Sequence, residues 1–390
     1  MTLLEGRNVK IVYLDNASTT PISYDALRAM VPYLTGRDGG AFGNANSTHT
    51  IGREAMAGLD WARELVAKNL SADFSEIYFT SGGTESNNFA IRGAFDASNA
   101  KKLFVTSSIE HPSVLETAKA ISKKGAEIAL IKPDETGILS PNSFSDEQLK
   151  KAFLTSVMAV NNEIGVIEPI KEICAKAHAN GSLFHTDLVQ GYALKNLNVK
   201  DLQVDMLSLS AHKFGGPKGV GVLYIKNGVK VATQLTGGHQ ERARRAGTSN
   251  VAGAVGCAYA LDIARKNLEK NSIYIKNLRD TFVDRVLTEI EGVKLNGNKE
   301  LRVEGNANLL FSGLNGEAIL NNLDMRGVCA SLGSACTAGT LEPSHVLTEI
   351  GLSEKDALSS IRFTFSERNT LKEVDYTVKT LKKIVEDLKK

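Results

Sequence analysis

At 390 residues the chain exceeds one typical domain of ~100 to 200 residues, which excludes a single small module and leaves two units or one large α/β core with an appendage. Hydrophobic residues at 42% and charged residues at 23% exclude a disordered or fibrous chain and supply enough apolar mass for a sizeable core. Lys plus Arg at 46 against Asp plus Glu at 44 gives a net charge of +2, so no general electrostatic attraction to nucleic acid or anionic lipid is expected, and any partner has to be recognised locally.

The chain opens without an uninterrupted apolar run or a small-residue cleavage site and leads directly into a strand, so no secretory leader is expected. From residue 50 to residue 260, short apolar runs at 77–80, 103–107, 127–131, 156–160, 183–187, 206–210 and 220–225 read as strands. Most are nearly continuous in hydrophobicity, as strands covered on both faces must be, and amphipathic stretches at 84–97, 113–124 and 169–180 separate many of them. The pattern predicts an α/β chain with a mainly parallel, seven-stranded, doubly wound sheet. Helix formers run from 250 to 291, predicting one long connecting helix; its most apolar part, 251–264, is short of the ~20 residues a bilayer span needs, so a cytoplasmic protein without a membrane contact is expected. Beyond it, 308–312, 316–325, 361–365 and 371–389 mix strands and helices in a smaller α+β unit. The expected division is a large domain at 20–265 and a small domain built from 1–19 and 266–390.

In an open α/β sheet, ligands gather beyond the carboxyl ends of the strands. Lys213 follows one such strand, in Ser210-Ala211-His212-Lys213-Phe214-Gly215-Gly216. An arbitrary lysine there is a solvated loop residue; the alternative is an amine that bonds covalently to an aldehyde cofactor. Asp187 ends the strand Leu183-Phe184-His185-Thr186-Asp187, either as a helix cap or as the partner of a protonated pyridine nitrogen. The segment Thr80-Ser81-Gly82-Gly83-Thr84-Glu85 passes from strand through a small turn to a helix start. It is either an ordinary capping box or a phosphate cradle built from backbone N–H groups and the Thr84 hydroxyl. His111, after the strand at 103–107, can stack on a flat ring or move a proton.

Three strand ends and a phosphate cradle on one edge are what pyridoxal phosphate requires. The sequence resembles the cysteine desulfurases, within the class V aminotransferase group of fold-type I pyridoxal phosphate enzymes. The likeness runs through Tyr13-Leu14-Asp15-Asn16-Ala17-Ser18-Thr19-Thr20-Pro21, Gly43-Asn44, Thr80 to Asn88, Glu110-His111 and Val160-Asn161-Asn162-Glu163-Ile164-Gly165. It continues through His185 to Gln190, Ser210 to Gly219, Gln240 to Thr248, Gly333-Ser334-Ala335-Cys336 and Ile361-Arg362-Phe363. Each motif is moderately specific; the ordered series is very specific. The resemblance implies that Lys213 carries the cofactor, His111 stacks on its ring, Asp187 faces the pyridine nitrogen and Gln190 the ring hydroxyl. Gly83, Thr84, Ser210 and His212 would hold the phosphate, with Thr248 supplied by the second subunit of a homodimer. Asn161 and Arg362 would meet the substrate, and a guanidinium suits a carboxylate because it offers two parallel hydrogen bonds.

Cys336 carries the specific expectation. It lies in Ser331-Leu332-Gly333-Ser334-Ala335-Cys336-Thr337-Ala338-Gly339-Thr340, whose small residues predict an exposed, flexible loop. Cys174, Cys257 and Cys329 sit in apolar stretches and read as core thiols; Cys174 and His178, four apart on a helix, are too few ligands for a metal site. The implied reaction removes sulfur from L-cysteine, leaving L-alanine and a persulfide on Cys336. The sulfur would pass to an acceptor protein, an iron-sulfur scaffold or a tRNA-thiolating enzyme. A selenocysteine lyase or another class V enzyme would share the cofactor residues, and an aminotransferase has no use for Cys336. A non-enzymatic sulfur carrier or cluster-assembly module would leave the cofactor set idle. Ala45, where a Pro often follows Gly-Asn, and Leu332, where a small residue is usual, depart from the family pattern.

Overall fold

The computed structural model describes residues 11–36, 40–98, 101–333 and 342–390. The strands are β1 (Val12–Tyr13), β2 (Ile77–Thr80), β3 (Leu103–Ser107), β4 (Glu127–Ile131), β5 (Ala152–Ser156), β6 (Leu183–Asp187), β7 (Met206–Ser210), β8 (Gly221–Ile225), β9 (Val293–Leu295), β10 (Asn306–Phe311), β11 (Val328–Cys329) and β12 (Ser360–Thr364). A seven-stranded sheet runs in the order β2-β8-β7-β6-β5-β3-β4. Only β8 runs against its neighbours, pairing antiparallel with both β7 and β2. Because β8 is reversed on both sides, β2 points the same way as β3 to β7, and all their carboxyl ends share one edge.

Side-chain alternation explains why these strands read as continuous apolar runs. Ile77, Phe79, Val105, Leu207, Leu209, Val222 and Tyr224 join one core with the helices Thr50–Leu70, Ile170–Ala179 and Val251–Lys266. Their sequence neighbours Tyr78, Phe104, Met206, Leu223 and Ile225 point to the opposite face, into a second core with the helices Gly83–Ala97 and Pro112–Ser122. The sheet is therefore the middle of three layers.

Another apolar cluster lies outside this sandwich. It gathers Val12 and Leu14 with residues of Leu268–Glu289, β10, β12 and the terminal helix Leu371–Leu388. Phe282 is its hub, with ring centroids 4.9 Å from Phe363 and 5.3 Å from Phe365. The terminal helix opens on a Thr370/Glu373 capping box and buries Val374, Val378, Leu381 and Val385 along one stripe. Strand β1 pairs in parallel with β11, and β10 lies between β9 and β12, antiparallel to both.

Two expectations are corrected. The strand expected at 156–160 is β5 (Ala152–Ser156): the apolar run Val157-Met158-Ala159-Val160 lies beyond the strand end, buried, with Val157 N and Ala159 N still donating to His185 O and Asp187 O at 3.1 and 2.9 Å. The single helix expected over 250–291 is two helices meeting at Asn267, whose φ of −97° and ψ of 5° end the first. No helix among the described residues is long and apolar enough to cross a membrane.

Candidate active site

At the shared strand edge lies a cleft of about 1490 Å³. Its phosphate-like end begins with the turn after β2. Gly83 starts a helix of 15 residues, and a Cβ there would fall 2.7 Å from Val189 Cγ2, so only glycine fits. The amides of this first turn have no intrahelical carbonyl to bind and lie at the positive end of the helix dipole. Thr84, Ser210 and His212 line the same space. Glu85, in the same turn, would repel an anion, but it is neutralised: it accepts from Ser81 N at 2.8 Å and from Arg245 Nε and Nη2 at 2.8 and 3.0 Å. Against the upward push of burial, these partners hold its carboxyl below the usual range.

Lys213 sits in the short helical turn after β7, 213 following the strand's last residue by three. Its Nζ donates to the carbonyls of Ala17 (2.6 Å) and Ser18 (2.9 Å). Burial, reinforced by the Arg362 charge and opposed by Asp187 and Asp15, lowers its amine to about 8. Asp187, buried at the end of β6, accepts from Asn87 Nδ2 at 2.7 Å and Val189 N at 2.9 Å. Asn87 also donates to Ser113 Oγ at 2.8 Å, and Ser113 N donates to His111 Nδ1 at 3.1 Å. His111 Nδ1 is thereby an acceptor, and the neutral ring carries its proton on Nε2. Burial, with Lys213 and His345 nearby, holds this imidazole low despite Asp187. His212 falls to about 4, by burial and the charges of Lys213 and Lys218, and its Nδ1 lies 3.1 Å from Thr19 Oγ1.

Arg362 comes from β12 and is 3% exposed. Its Nη1 donates to Asn162 O at 2.8 Å; its Nη2 donates to Asp15 Oδ1 at 3.0 Å and Ser18 Oγ at 2.8 Å; its Nε is buried without a partner. The turn at Asp15 to Ser18 thus touches both the arginine and the lysine. Sequence reading quoted this motif but assigned it no task, since only the fold brings residue 15 to residue 362.

Lys213, His111, Asp187, Gln190, Gly83, Thr84, Ser210, His212 and Arg362 all line the cleft. Gln190 donates to Ala17 O at 2.8 Å. Asn161 lines an adjoining cavity together with Ala17, Gln190 and Lys213. Its carboxamide donates to Ile109 O at 3.0 Å and accepts from Glu163 N and Ile164 N at 2.9 and 3.0 Å, while Asn162 and Glu163 form the wall. Thr248 is exposed and also lies outside the cleft lining. Cys336 lies outside the described residues, but Gly333, three positions before it, lines the cleft. Burial pushes the Cys174 and Cys257 thiols to about 12 and raises Cys329 as well. Among the described residues no cluster of three or more His, Cys, Asp or Glu is arranged to hold a metal. Asn87 and Glu163 stand within motifs quoted from the sequence but were given no task, and Ser113 and His345 were not picked out; the contacts Asn87–Asp187, Glu163–Ser344 and His345–Glu110 exist only in the folded chain.

The sequence profile of the class-V aminotransferases matches residues 12–377. A cysteine desulfurase IscS of Dictyoglomus turgidum is 44% identical over 379 residues, covering 97% of this chain and 95% of that protein. The chain belongs to the cysteine desulfurase family. A second family member, IscS of Methanosarcina thermophila, is 42% identical over 390 residues, covering 99% of this chain and 95% of its own. Among solved structures, a NifS-like protein superposes with a TM-score of 0.89 at 34% identity, covering 97% of this chain and all of that one. SspA in complex with cysteine superposes at 0.77 and 32% identity, covering 92% and 99%. The family has the fold of the fold-type I pyridoxal phosphate enzymes and depends on that cofactor. The cleft fits it: a first-turn amide cradle at Gly83, an amine lowered to about 8, and a buried carboxylate at a strand end are a donor set for phosphate, aldehyde and pyridine nitrogen respectively.

Proposed function

We propose that this chain removes the sulfur of L-cysteine, forming L-alanine and a persulfide on Cys336. The observation that carries the reading is one cleft in which a lysine amine of lowered basicity, a buried arginine and Gly333, at the stem of the Cys336 segment, are brought together. Pyridoxal phosphate, when bound, supplies the electron sink for bonds to the substrate α-carbon. Lys213 would carry it, with Asp187 and Gln190 at its ring, His111 against its face, and Gly83, Thr84, Ser210 and His212 at its phosphate. Arg362, which lines the cleft, orients the substrate carboxylate. Lys213, whose amine is near 8, can take and return a proton at neutral pH, and His111 is the second proton carrier. The Cys336 thiolate attacks the substrate sulfur; an S–S bond forms as the C–S bond breaks, and the electron pair stays with the organic fragment, which gains a proton and leaves as alanine. The three described thiols are poor competitors, since burial keeps them protonated.

The same reading includes a homodimer in which exposed Thr248 serves the partner's phosphate site, a large domain at 20–265 with a small one from 1–19 and 266–390, a cytoplasmic location, and a protein acceptor for the sulfur, an iron-sulfur scaffold or tRNA-thiolating enzyme. The test is the mass of the intact holoenzyme after L-cysteine addition. A gain of one sulfur on wild type and none on Cys336→Ser supports the assignment. A gain that survives the substitution, or alanine formation that requires a keto-acid acceptor, defeats it.

A further inference from the structure

We infer that the Ser18 hydroxyl is an intramolecular competitor for Arg362, a group that loosens the hold of the site on every α-carboxylate; the inference rests on the proposed role of Arg362 as the partner of the substrate carboxylate. Ser18 lines the cleft with Arg362 and Lys213. Its Oγ accepts from Arg362 Nη2 at 2.8 Å and donates to Asp15 Oδ1, also at 2.8 Å, while its carbonyl accepts from Lys213 Nζ at 2.9 Å. The arginine that takes a carboxylate and the lysine that yields to an amino nitrogen therefore meet at one residue, as two substituents of a single α-carbon require.

The hydrogens of Arg362 show what the hydroxyl does. The Nε is buried, out of reach of a ligand. The four hydrogens on the two Nη atoms meet four acceptors: Asn162 O at 2.8 Å and Gly333 O at 3.4 Å on Nη1, Asp15 Oδ1 at 3.0 Å and Ser18 Oγ at 2.8 Å on Nη2. A carboxylate held by two parallel hydrogen bonds needs one hydrogen from each Nη atom, so it has to displace one acceptor from each. On Nη1 the 3.4 Å contact is the weak one. On Nη2, Asp15 is ion-paired with the guanidinium and lies outside the cleft lining, which leaves Ser18 as the acceptor a ligand can replace. The backbone around residue 18 is pinned: Ser18 N donates to Asp15 O at 3.1 Å, Ala17 N to Thr364 Oγ1 at 2.9 Å and Thr20 N to His212 O at 2.9 Å. Only the hydroxyl has to turn, about a single bond, between staggered positions. An intramolecular acceptor outcompetes water at such a donor by about 3- to 10-fold. That factor divides the affinity for substrate and product alike, which raises KM and leaves the barrier between bound states unchanged.

The test is the affinity of the holoenzyme for L-alanine, read as the change in absorbance of the bound cofactor. Ser18→Ala, whose methyl group cannot accept from Nη2, should bind L-alanine about 3- to 10-fold more tightly than wild type. Ser18→Thr, which keeps the hydroxyl, should stay within about twofold of wild type. Ethylamine, which is L-alanine without its carboxylate, should bind Ser18→Ala and wild type within about twofold of each other, whereas a general repacking around the cofactor would move both ligands together. With L-cysteine, KM of Ser18→Ala should fall by about 3- to 10-fold. Unchanged or weaker L-alanine binding by Ser18→Ala, or an equal gain for ethylamine, overturns the inference. Arg362→Gln separates this from the reading beneath it. An L-alanine affinity that ignores Arg362→Gln would defeat the proposed role of the arginine and this inference with it; a loss with Arg362→Gln and no gain with Ser18→Ala overturns this inference alone.

Discussion

The amine of Lys213 offers the sharpest quantitative expectation, because its environment is built from groups that can be changed one at a time. Burial and the Arg362 charge lower it from 10.5 to about 8, against Asp187 and Asp15. At pH 8 about half the cofactor-free molecules then carry the neutral, nucleophilic amine, against roughly 0.3% for an ordinary lysine, a gain of ~150-fold in the reactive form. The same shift has a sign for stability. The charged form is disfavoured by folding, so the unfolded chain binds more protons between about 8 and 10.5. The penalty is therefore full below pH 8 and relieved as pH rises through that window. A Lys213→Met variant of the cofactor-free protein should be more stable than wild type at neutral pH by at most ~3 kcal/mol, with the gap closing toward pH 10.5. The two carbonyl hydrogen bonds that Met cannot make reduce the gap. Trace acetylation with acetic anhydride, read on the Lys213 peptide across pH, measures the amine directly. The midpoint should fall near 8 in wild type and move toward 10.5 in Arg362→Gln. A wild-type midpoint at or above about 10, or one unmoved by removing Arg362, would refute the electrostatic reasoning.

Other expectations follow from single contacts. Gly83→Ala has no room for its methyl beside Val189 Cγ2, so affinity for pyridoxal phosphate should fall at least about tenfold in an absorbance titration while overall folding, followed by far-UV circular dichroism, persists. Glu241→Ala leaves Arg63 buried after losing contacts at 2.7 and 2.8 Å, and removes an acceptor from Phe79 N. It should cost ~3 to 5 kcal/mol in chemical denaturation. It should also release the left-handed run Glu241, Arg242 and Ala243 (φ 45°, 57° and 61°), making Arg242 and Arg244 susceptible to trypsin; a variant as resistant as wild type would contradict this. Phe282→Ala, at the hub of the apolar cluster outside the main sheet, should lose ~3 to 5 kcal/mol by denaturant titration.

Much of the site was legible because the chemistry sits where strands end. Lys213, Asp187, His111 and Gly83 each follow an apolar run directly, and a sheet with its carboxyl ends on one edge must bring them together. Hydrophobic continuity likewise identified six of the seven runs close to their true strands, whereas the run 156–160 misled because a buried connection is as apolar as a buried strand. Motif reading expects Asn161 to meet the substrate; the structure adds that it shares a cavity with Lys213 and Gln190 while its carboxamide is engaged with Ile109 O and the amides of Glu163 and Ile164, partners that no motif prints.

The sequence by itself determined the layers of the main sheet and its edge of reactive residues, since periodicity and local composition are properties of neighbours along the chain. Tertiary structure alone decided that Asp15 meets Arg362 across 347 residues, that Asn87 links Asp187 to Ser113, and that Glu163 reaches Ser344. Such contacts depend on register and packing between distant segments, which no local pattern encodes, and they are what turns a set of reactive side chains into groups of defined charge and direction.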